Sequence, residues 1–119
     1  MNKKVRTVVY DEELRIEAYR FMEQHYAERI SLEQICRSAY LCKSALLRAF
    51  TRVKGVTPYS YLENIRIGEA KRLLEQGVMP IEAALQTGFS DQSHFTNYFS
   101  RFIGLTPGAY CEIFLRRAD

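Results

Sequence analysis

The chain has 119 residues, of which 47% are apolar and 26% charged, and its formal net charge is +3. That apolar share is enough to bury a core, which excludes a disordered segment. No apolar run approaches the roughly 20 residues of a membrane-spanning helix, so a membrane partner is excluded as well.

Residues 1–10 carry Lys3, Lys4 and Arg6 without apolar periodicity and read as a loose basic arm or the remnant of a tag. Asp11, Glu12 and Glu13 follow where a signal peptide would need its apolar stretch, so none is expected. A first helix is predicted over residues 11–27, with Leu14, Ala18, Phe21, Met22 and His25 on one face. Ser31 with Gln34 fits a capping box, and Ile30 with Ile35 fits the hydrophobic staple that accompanies it. A short second helix therefore runs over residues 32–38. A tight connection, Ala39-Tyr40-Leu41-Cys42, leads into a third over residues 43–54. There Leu46, Ala49, Phe50 and Val53 share one face, and Ser44, Leu47, Arg48 and Thr51 share the other. Two helices joined this tightly, the second with a polar and basic outer face, describe a helix-turn-helix.

Gly55 ends the third helix, Thr57 caps the next, and Pro58 occupies its first turn, where a missing N–H costs nothing. Val56 is placed to staple onto Tyr61. The fourth helix is predicted over residues 58–76, with Tyr61, Leu62, Ile65, Ala70, Leu73 and Leu74 buried and Gly77 as its stop. At 1.5 Å per residue it spans roughly 28 Å. Gly68 inside it costs about 1 kcal/mol against alanine, which suggests close packing at that point. A fifth helix follows over residues 80–88 and a sixth over residues 92–103. The sixth packs through Phe95, Phe99 and Phe102 and shows Ser93, Thr96, Asn97 and Ser100 outward. A last helix over residues 107–117 carries Tyr110 and Phe114, with Leu105 placed to staple onto Tyr110. No segment reads as a strand. The fold class is all-α, with about seven helices.

One stretch occurs twice. Cys42–Pro58 returns 49 residues later as Asp91–Pro107, seventeen positions in step without a gap. Ser44 returns as Ser93, Phe50 as Phe99, Arg52 as Arg101, Gly55 as Gly104, Thr57 as Thr106 and Pro58 as Pro107. Just before it the register is 48, pairing Ile35 with Ala83 and Leu41 with Phe89, so the second turn is one residue longer than the first. The organisation that follows is a first helix-turn-helix subdomain over residues 11–57, a linker helix over residues 58–77 and a second subdomain over residues 78–119.

These motifs resemble the DNA-binding domain of the AraC/XylS family of transcription regulators, over about residues 11–117. Leu46-Leu47-Arg48-Ala49-Phe50 looks like the family's Leu-x-Arg-x-Phe. Arg66-Ile67-x-x-Ala70-x-x-Leu73-Leu74 looks like its linker helix. Ala84-x-x-x-Gly88-Phe89-x-Asp91-Gln92-Ser93-x-Phe95, followed by Gly104-x-Thr106-Pro107, looks like its second-unit signature. The chain departs from the family pattern at Tyr40, where a glycine is usual, at Cys42, where a serine cap is usual, and at Asn97, where an arginine is frequent. The family's regulatory domain, which binds an effector or dimerises, has no counterpart here, so the chain is expected to be a short member or an excised domain.

The resemblance implies double-stranded DNA as partner, read in two successive major grooves about 34–36 Å apart on one face. It also implies activation through RNA polymerase. The chain can act as a monomer, or as a dimer within a longer protein. Base-reading candidates are Ser44, Leu47 and Arg48 in the first unit. Arg48 suits bidentate pairing with guanine; Leu47 suits a thymine methyl, or belongs to the core if the helix phase is shifted. In the second unit they are Gln92, Ser93, Thr96 and Asn97, with Asn and Gln suited to adenine. Lys43, Arg52, Lys54 and Arg101 are phosphate-contact candidates. Residues 31–56 hold Arg37, Lys43, Arg48, Arg52 and Lys54 against Glu33, a net +4; residues 78–108 hold Arg101 against Glu82 and Asp91, a net −1. The first unit is thus expected to anchor the chain on phosphates, unless helix N-termini together with Arg116 and Arg117 make up the difference. The alternative from another class is a helical protein-interaction module that masks a partner regulator.

Cys36, Cys42 and Cys111 form no CxxC pair and fit a reduced, cytoplasmic protein. Cys42 at a helix start is a small turn residue in the plain reading and a thiol sensor in the sharper one. His25 and His94 are too isolated to hold a metal. No catalytic constellation and no cofactor motif is present, so no enzymatic activity is expected.

Overall fold

The structure, a computed structural model, describes the backbone of residues 16–118 and all of their side chains except 53, 54 and 116–118. The basic arm, Leu14 and the side chains of Val53, Lys54, Arg116 and Arg117 lie outside the described residues. Among the described residues seven helices and no strand are present. They are α1 (residues 16–25), α2 (Leu32–Ala39), α3 (Lys43–Lys54), α4 (Pro58–Glu75), α5 (Pro80–Gln86), α6 (Gln92–Ile103) and α7 (Pro107–Ala118). None of them is long and apolar enough to cross a membrane. The chain divides into two compact units between Glu63 and Asn64, inside α4.

In the first unit, Ala18 and Met22 of α1, Ile35 and Ala39 of α2, Leu46, Ala49 and Phe50 of α3 and Leu62 of α4 form the buried core. The Tyr19 ring meets Phe50 edge-on at 5.1 Å and Tyr61 at 4.7 Å. Edge-to-face pairs of this kind add to the burial because the positive rim of one ring meets the negative face of the other. Both arms of the α2 capping box form. The Gln34 N–H donates to Ser31 Oγ at 3.2 Å, and the Ser31 N–H donates to Gln34 Oε1 at 2.8 Å. α1 stops at residue 25, two residues short of the predicted end. There the Glu28 N–H folds back to the His25 carbonyl at 3.0 Å and the Glu28 carboxylate meets His25 Nδ1.

α2 ends on Tyr40, which sits in the left-handed region at φ 55° and ψ 36°. Among the described residues it is the only non-glycine with positive φ, and its side chain is 82% exposed. The conformation is held by the turn. The Tyr40 N–H donates to Arg37 O at 3.3 Å and the Leu41 N–H to Cys36 O at 3.0 Å, which satisfies carbonyls the helix end would otherwise leave unpaired. A Cβ in this conformation costs about 1–2 kcal/mol, and the exposed ring returns little of it. Tyr40→Gly is therefore expected to stabilise the first unit by about 1 kcal/mol, read as a rise in the urea midpoint. An unchanged or lower midpoint would mean that the tyrosine ring holds the turn.

The second unit gathers Ile67, Ala70 and Leu74 of α4, Ala83 and Ala84 of α5, Phe89, Phe95 and Phe99 of α6 and its approach, and Cys111 of α7 into one core. The equivalent turn uses Gly88 at φ 91°, where glycine bears no such cost. From Tyr40 to the helix cap Cys42 is two steps, and from Gly88 to the cap Asp91 is three, which is the extra residue implied by the change of register. Thr87, fully buried, donates Oγ1 to the Ala83 carbonyl at 2.8 Å and closes α5 from inside. Thr57 and Thr106 both cap as expected. Their Oγ1 atoms accept from the Ser60 and Ala109 N–H groups, each at 3.1 Å.

Four expectations about packing are corrected. Phe102 is not in the core; it is 56% exposed and lies parallel to Tyr98 at 6.3 Å, while Ile103 packs inward. Leu105 is exposed and does not bury a staple against Tyr110. Within α4 the fully buried isoleucine is Ile67, while Ile65 and Leu73 are half-buried. Gly68 is exposed, and a Cβ built there meets nothing within 4 Å, so no close packing explains it.

Tyr110 ties α7 to α4. Its hydroxyl donates to Glu75 Oε2 at 2.6 Å, and its ring sits edge-on to Phe99 at 5.7 Å. Burial first, and then the Glu75 carboxylate, push its phenol up to about 12. A raised folded pKa means that the folded state holds the proton more tightly. Its contribution is complete below the ordinary tyrosine value near 10 and is lost as pH rises towards 12. Denaturation between pH 9 and 12 is expected to show a smaller alkaline loss of stability in Tyr110→Phe than in the parent chain. Equal losses would assign the effect to other groups, such as Tyr61, which burial also raises.

Candidate nucleic-acid interface

α3 is fixed from behind by Leu46, Ala49 and Phe50, all buried, which leaves the opposite face to solvent. Lys43, Ser44, Arg48, Thr51 and Arg52 are exposed on it. Positions 44, 48 and 51 follow helical neighbour spacing, so their side chains stand in one row. Leu47 falls between the row and the core. It is half-buried and lines an apolar groove with Ile35, Pro58 and Leu62, which corrects its placement as an exposed contact. The exposed row of α3 is thus Ser44, Arg48 and Thr51, flanked by Lys43 and Arg52. Thr51 joins the row through helical period alone, a residue the spacing of Ser44 and Arg48 already points to. Arg37 lies 3.8 Å from Glu33 with both side chains largely exposed, a pair worth little because water screens it. The Lys54 side chain lies outside the described residues.

α6 is held in the same way by Phe95 and Phe99. Gln92, Ser93, Asn97 and Arg101 are exposed, and Thr96 is half-buried. The Thr96 carbonyl accepts the Ser100 hydroxyl at 2.7 Å, so Ser100 turns back onto its own helix. His94 is exposed, with its ring 5.7 Å from Phe89 and 6.1 Å from Tyr98.

The two helices begin differently, and this the repeat did not reveal. Asp91 caps α6. Its Oδ1 accepts the Ser93 N–H at 2.7 Å and the His94 N–H at 3.3 Å. Cys42, at the same place on α3, makes no side-chain capping bond. The α6 N-terminus therefore has two donors engaged and a carboxylate at its positive end. The α3 N-terminus keeps its positive end without such a neutralising group, and Lys43 stands beside it. An aspartate before Gln92-Ser93 is a readable cap signal.

Chemically, the arrangement supplies two convex helical faces with hydrogen-bonding side chains, one of them basic. Among the described residues no group of His, Cys, Asp and Glu is placed to hold a metal ion, and Cys36, Cys42 and Cys111 are free.

Comparison with known proteins places these faces in context. A helix-turn-helix domain family matches residues 35–113. An uncharacterized HTH-type transcriptional regulator, YbfI of Bacillus subtilis (strain 168), is 60% identical over 74 residues, which is 62% of this chain and 27% of that protein. This chain spans between about a quarter and two fifths of the length of the curated relatives it matches. The crystal structure of the DNA-binding domain of AdpA, a global transcriptional factor in complex with a target DNA, superposes with a TM-score of 0.80 at 27% identity, covering 87% of this chain and 94% of that one. A transcriptional regulator with an AraC-type DNA-binding domain from Chromobacterium violaceum superposes with a TM-score of 0.79 at 26% identity, covering 85% and 91%. Two helix-turn-helix units with the same helix order and a family match across most of the length lead to one conclusion: the chain belongs to the AraC-type helix-turn-helix family of transcription regulators.

Proposed function

We propose that the chain is a sequence-specific double-stranded DNA-binding transcription regulator that reads successive major grooves with α3 and α6. The observation that carries this reading is the exposed row of Ser44, Arg48 and Thr51 between Lys43 and Arg52, on a helix whose back is buried. A helix so held is the element the major groove admits, and Arg48 is the side chain best suited to guanine. The solved complex of the related AdpA domain with DNA supports it. In this reading residues 11–57 and 78–119 are the two reading subdomains and residues 58–77 the linker.

The halves contribute unequally. The first carries the larger positive charge and a helix start free of a capping carboxylate; the second carries Asp91 at its helix start. The first unit therefore anchors on phosphates and the second adds sequence-dependent contacts through Gln92, Ser93 and Asn97. Lys43, Arg52, Lys54 and Arg101 are the phosphate contacts. Activation through RNA polymerase, a cytoplasmic site of action, a non-enzymatic role and monomeric reading all follow from the family resemblance, with dimerisation left to a longer protein.

Selection against random duplex DNA, followed by affinity measurements across a salt series, tests this. Expected is an asymmetric site with two preferred blocks about one helical turn apart, and an affinity that falls linearly on a log–log plot against salt. One block would restrict base reading to a single unit. No enrichment, with binding indifferent to salt, would favour the protein-interaction module.

A further inference from the structure

Two of the three cysteines belong to one helix-turn-helix, and DNA reading uses neither. Cys36 lies on α2 and Cys42 at the start of α3. Both are free; Cys36 is half-buried and Cys42 exposed. The turn between them folds the chain back on itself. The Leu41 N–H donates to the Cys36 carbonyl at 3.0 Å, and Cys42 follows Leu41 directly, a Cα step of about 3.8 Å. Lys43, the residue after Cys42, lines one cleft with Cys36, Glu33 and Arg37. The two thiols also act on each other. Burial is the first cause that raises the Cys36 thiol above its ordinary value; a Cys42 thiolate is the next, ahead of Glu33, and Lys43 opposes them. Charge effects fall with distance, so a thiol that acts on Cys36 more strongly than a carboxylate three residues away on the same helix is its neighbour. Cys111 is buried in the core of the other unit.

We propose that Cys36 and Cys42 are a redox pair that a hydroperoxide closes into a disulfide across the turn. Cys42, the exposed thiol, reacts first. Its thiolate attacks the outer peroxide oxygen: an S–O bond forms, the O–O bond breaks, and water or an alcohol leaves with the proton the thiol gave up. Cys42 is then a sulfenic acid. Cys36, as thiolate, attacks the Cys42 sulfur: the S–S bond forms, the S–O bond breaks, and the departing hydroxide takes up the Cys36 proton as water. The two thiols have lost two electrons and two protons, and the peroxide has been reduced. A disulfide holds its two Cα atoms about 4.4–6.8 Å apart, so the bridge sets the start of α3 against α2. Lys43 and Ser44 follow the bridge directly. On the DNA reading proposed above, which this consequence rests on, the oxidised chain presents them in a position set by the bridge and binds its site more weakly.

The test is treatment of the folded chain with hydrogen peroxide, read by intact mass and by tryptic mapping without reductant. Trypsin cuts after Arg37, between the two cysteines, so the bridge appears as a linked peptide pair. Expected are a monomer lighter by two hydrogens, a Cys36–Cys42 linked pair and a free Cys111. Cys36→Ser should stop at a sulfenic acid on Cys42, trapped by dimedone, and Cys111→Ala should behave as the parent. Bridges between two chains, linkage to Cys111, or a Cys42 that oxidises without engaging Cys36 would overturn the pair. Should Cys36→Ser fail to fold, the linked peptide of the parent chain decides: its presence supports the pair and its absence removes it. Affinity for the selected duplex should fall roughly tenfold on oxidation and return with a dithiol reductant. A bridged chain that binds as before would overturn the regulatory consequence. A reduced chain that binds no duplex would count against DNA reading itself, while the mass and the map still judge the bridge.

Discussion

Phe99→Ala is expected to destabilise the second unit by about 3–5 kcal/mol, the range for removing a fully buried aromatic ring. The Phe99 side chain is 0% exposed. Its ring meets Phe95 at a tilt and Tyr110 edge-on, each at 5.7 Å between ring centres, so alanine leaves a void bounded by aromatic rings that cannot collapse without moving α6 or α7. Domains of this size are stable by only about 5–15 kcal/mol, so the loss removes a large share of the total. Urea denaturation should show the midpoint falling steeply. Phe102→Ala is the internal control. It lies on the same helix but is 56% exposed, and its loss should cost well under 1 kcal/mol. Similar losses for the two would mean that the second unit packs differently from the structure described above.

The contrast between these phenylalanines also marks where the sequence becomes unreadable. Phe95, Phe99 and Phe102 have equal claim to one face by helical spacing. The helix ends one residue later, at Ile103, and Phe102 in that last turn is left 56% exposed. Periodicity describes a helix, not the neighbours that cover it. Leu47 shows the converse, since the outer face of α3 extends only as far as the first turn of α4 allows. Buried Glu63 and Arg66 are a third instance. Charged residues read as surface by pattern, and only their surroundings, in which both have partners, permit their burial.

What was legible is local and stereochemical. Capping residues announce themselves because few side chains can satisfy the first N–H groups of a helix, and Ser31, Thr57 and Thr106 all do so. The repeat marks α3 and α6 as equivalent helices, and the change of register from 49 to 48 places the extra residue in the second turn. Tyr40 departs from the glycine usual in the family the chain resembles, and the structure shows what that departure costs: a left-handed backbone at a residue with a Cβ. The difference between the caps Cys42 and Asp91 needed no tertiary information either.

The largest functional effect is expected at Arg48. Arg48→Ala should weaken binding to the selected site by about 1–3 kcal/mol, or roughly five- to 150-fold, while affinity for unrelated duplex changes little. Base-reading and phosphate-contacting arginines differ in two observables. A phosphate contact lowers affinity for every sequence alike and reduces the salt slope by about one, because one fewer counterion is displaced. A base contact lowers affinity only where its guanine is present. Arg48→Lys separates charge from shape. Lysine keeps the positive charge but lacks the planar fork that meets two acceptors at once. It should therefore retain the salt slope and lose most of the preference at the contacted base pair. If Lys restores both affinity and preference, Arg48 serves as a charge on the exposed row of α3, and base reading in the first unit falls to Ser44 and Thr51, which flank it.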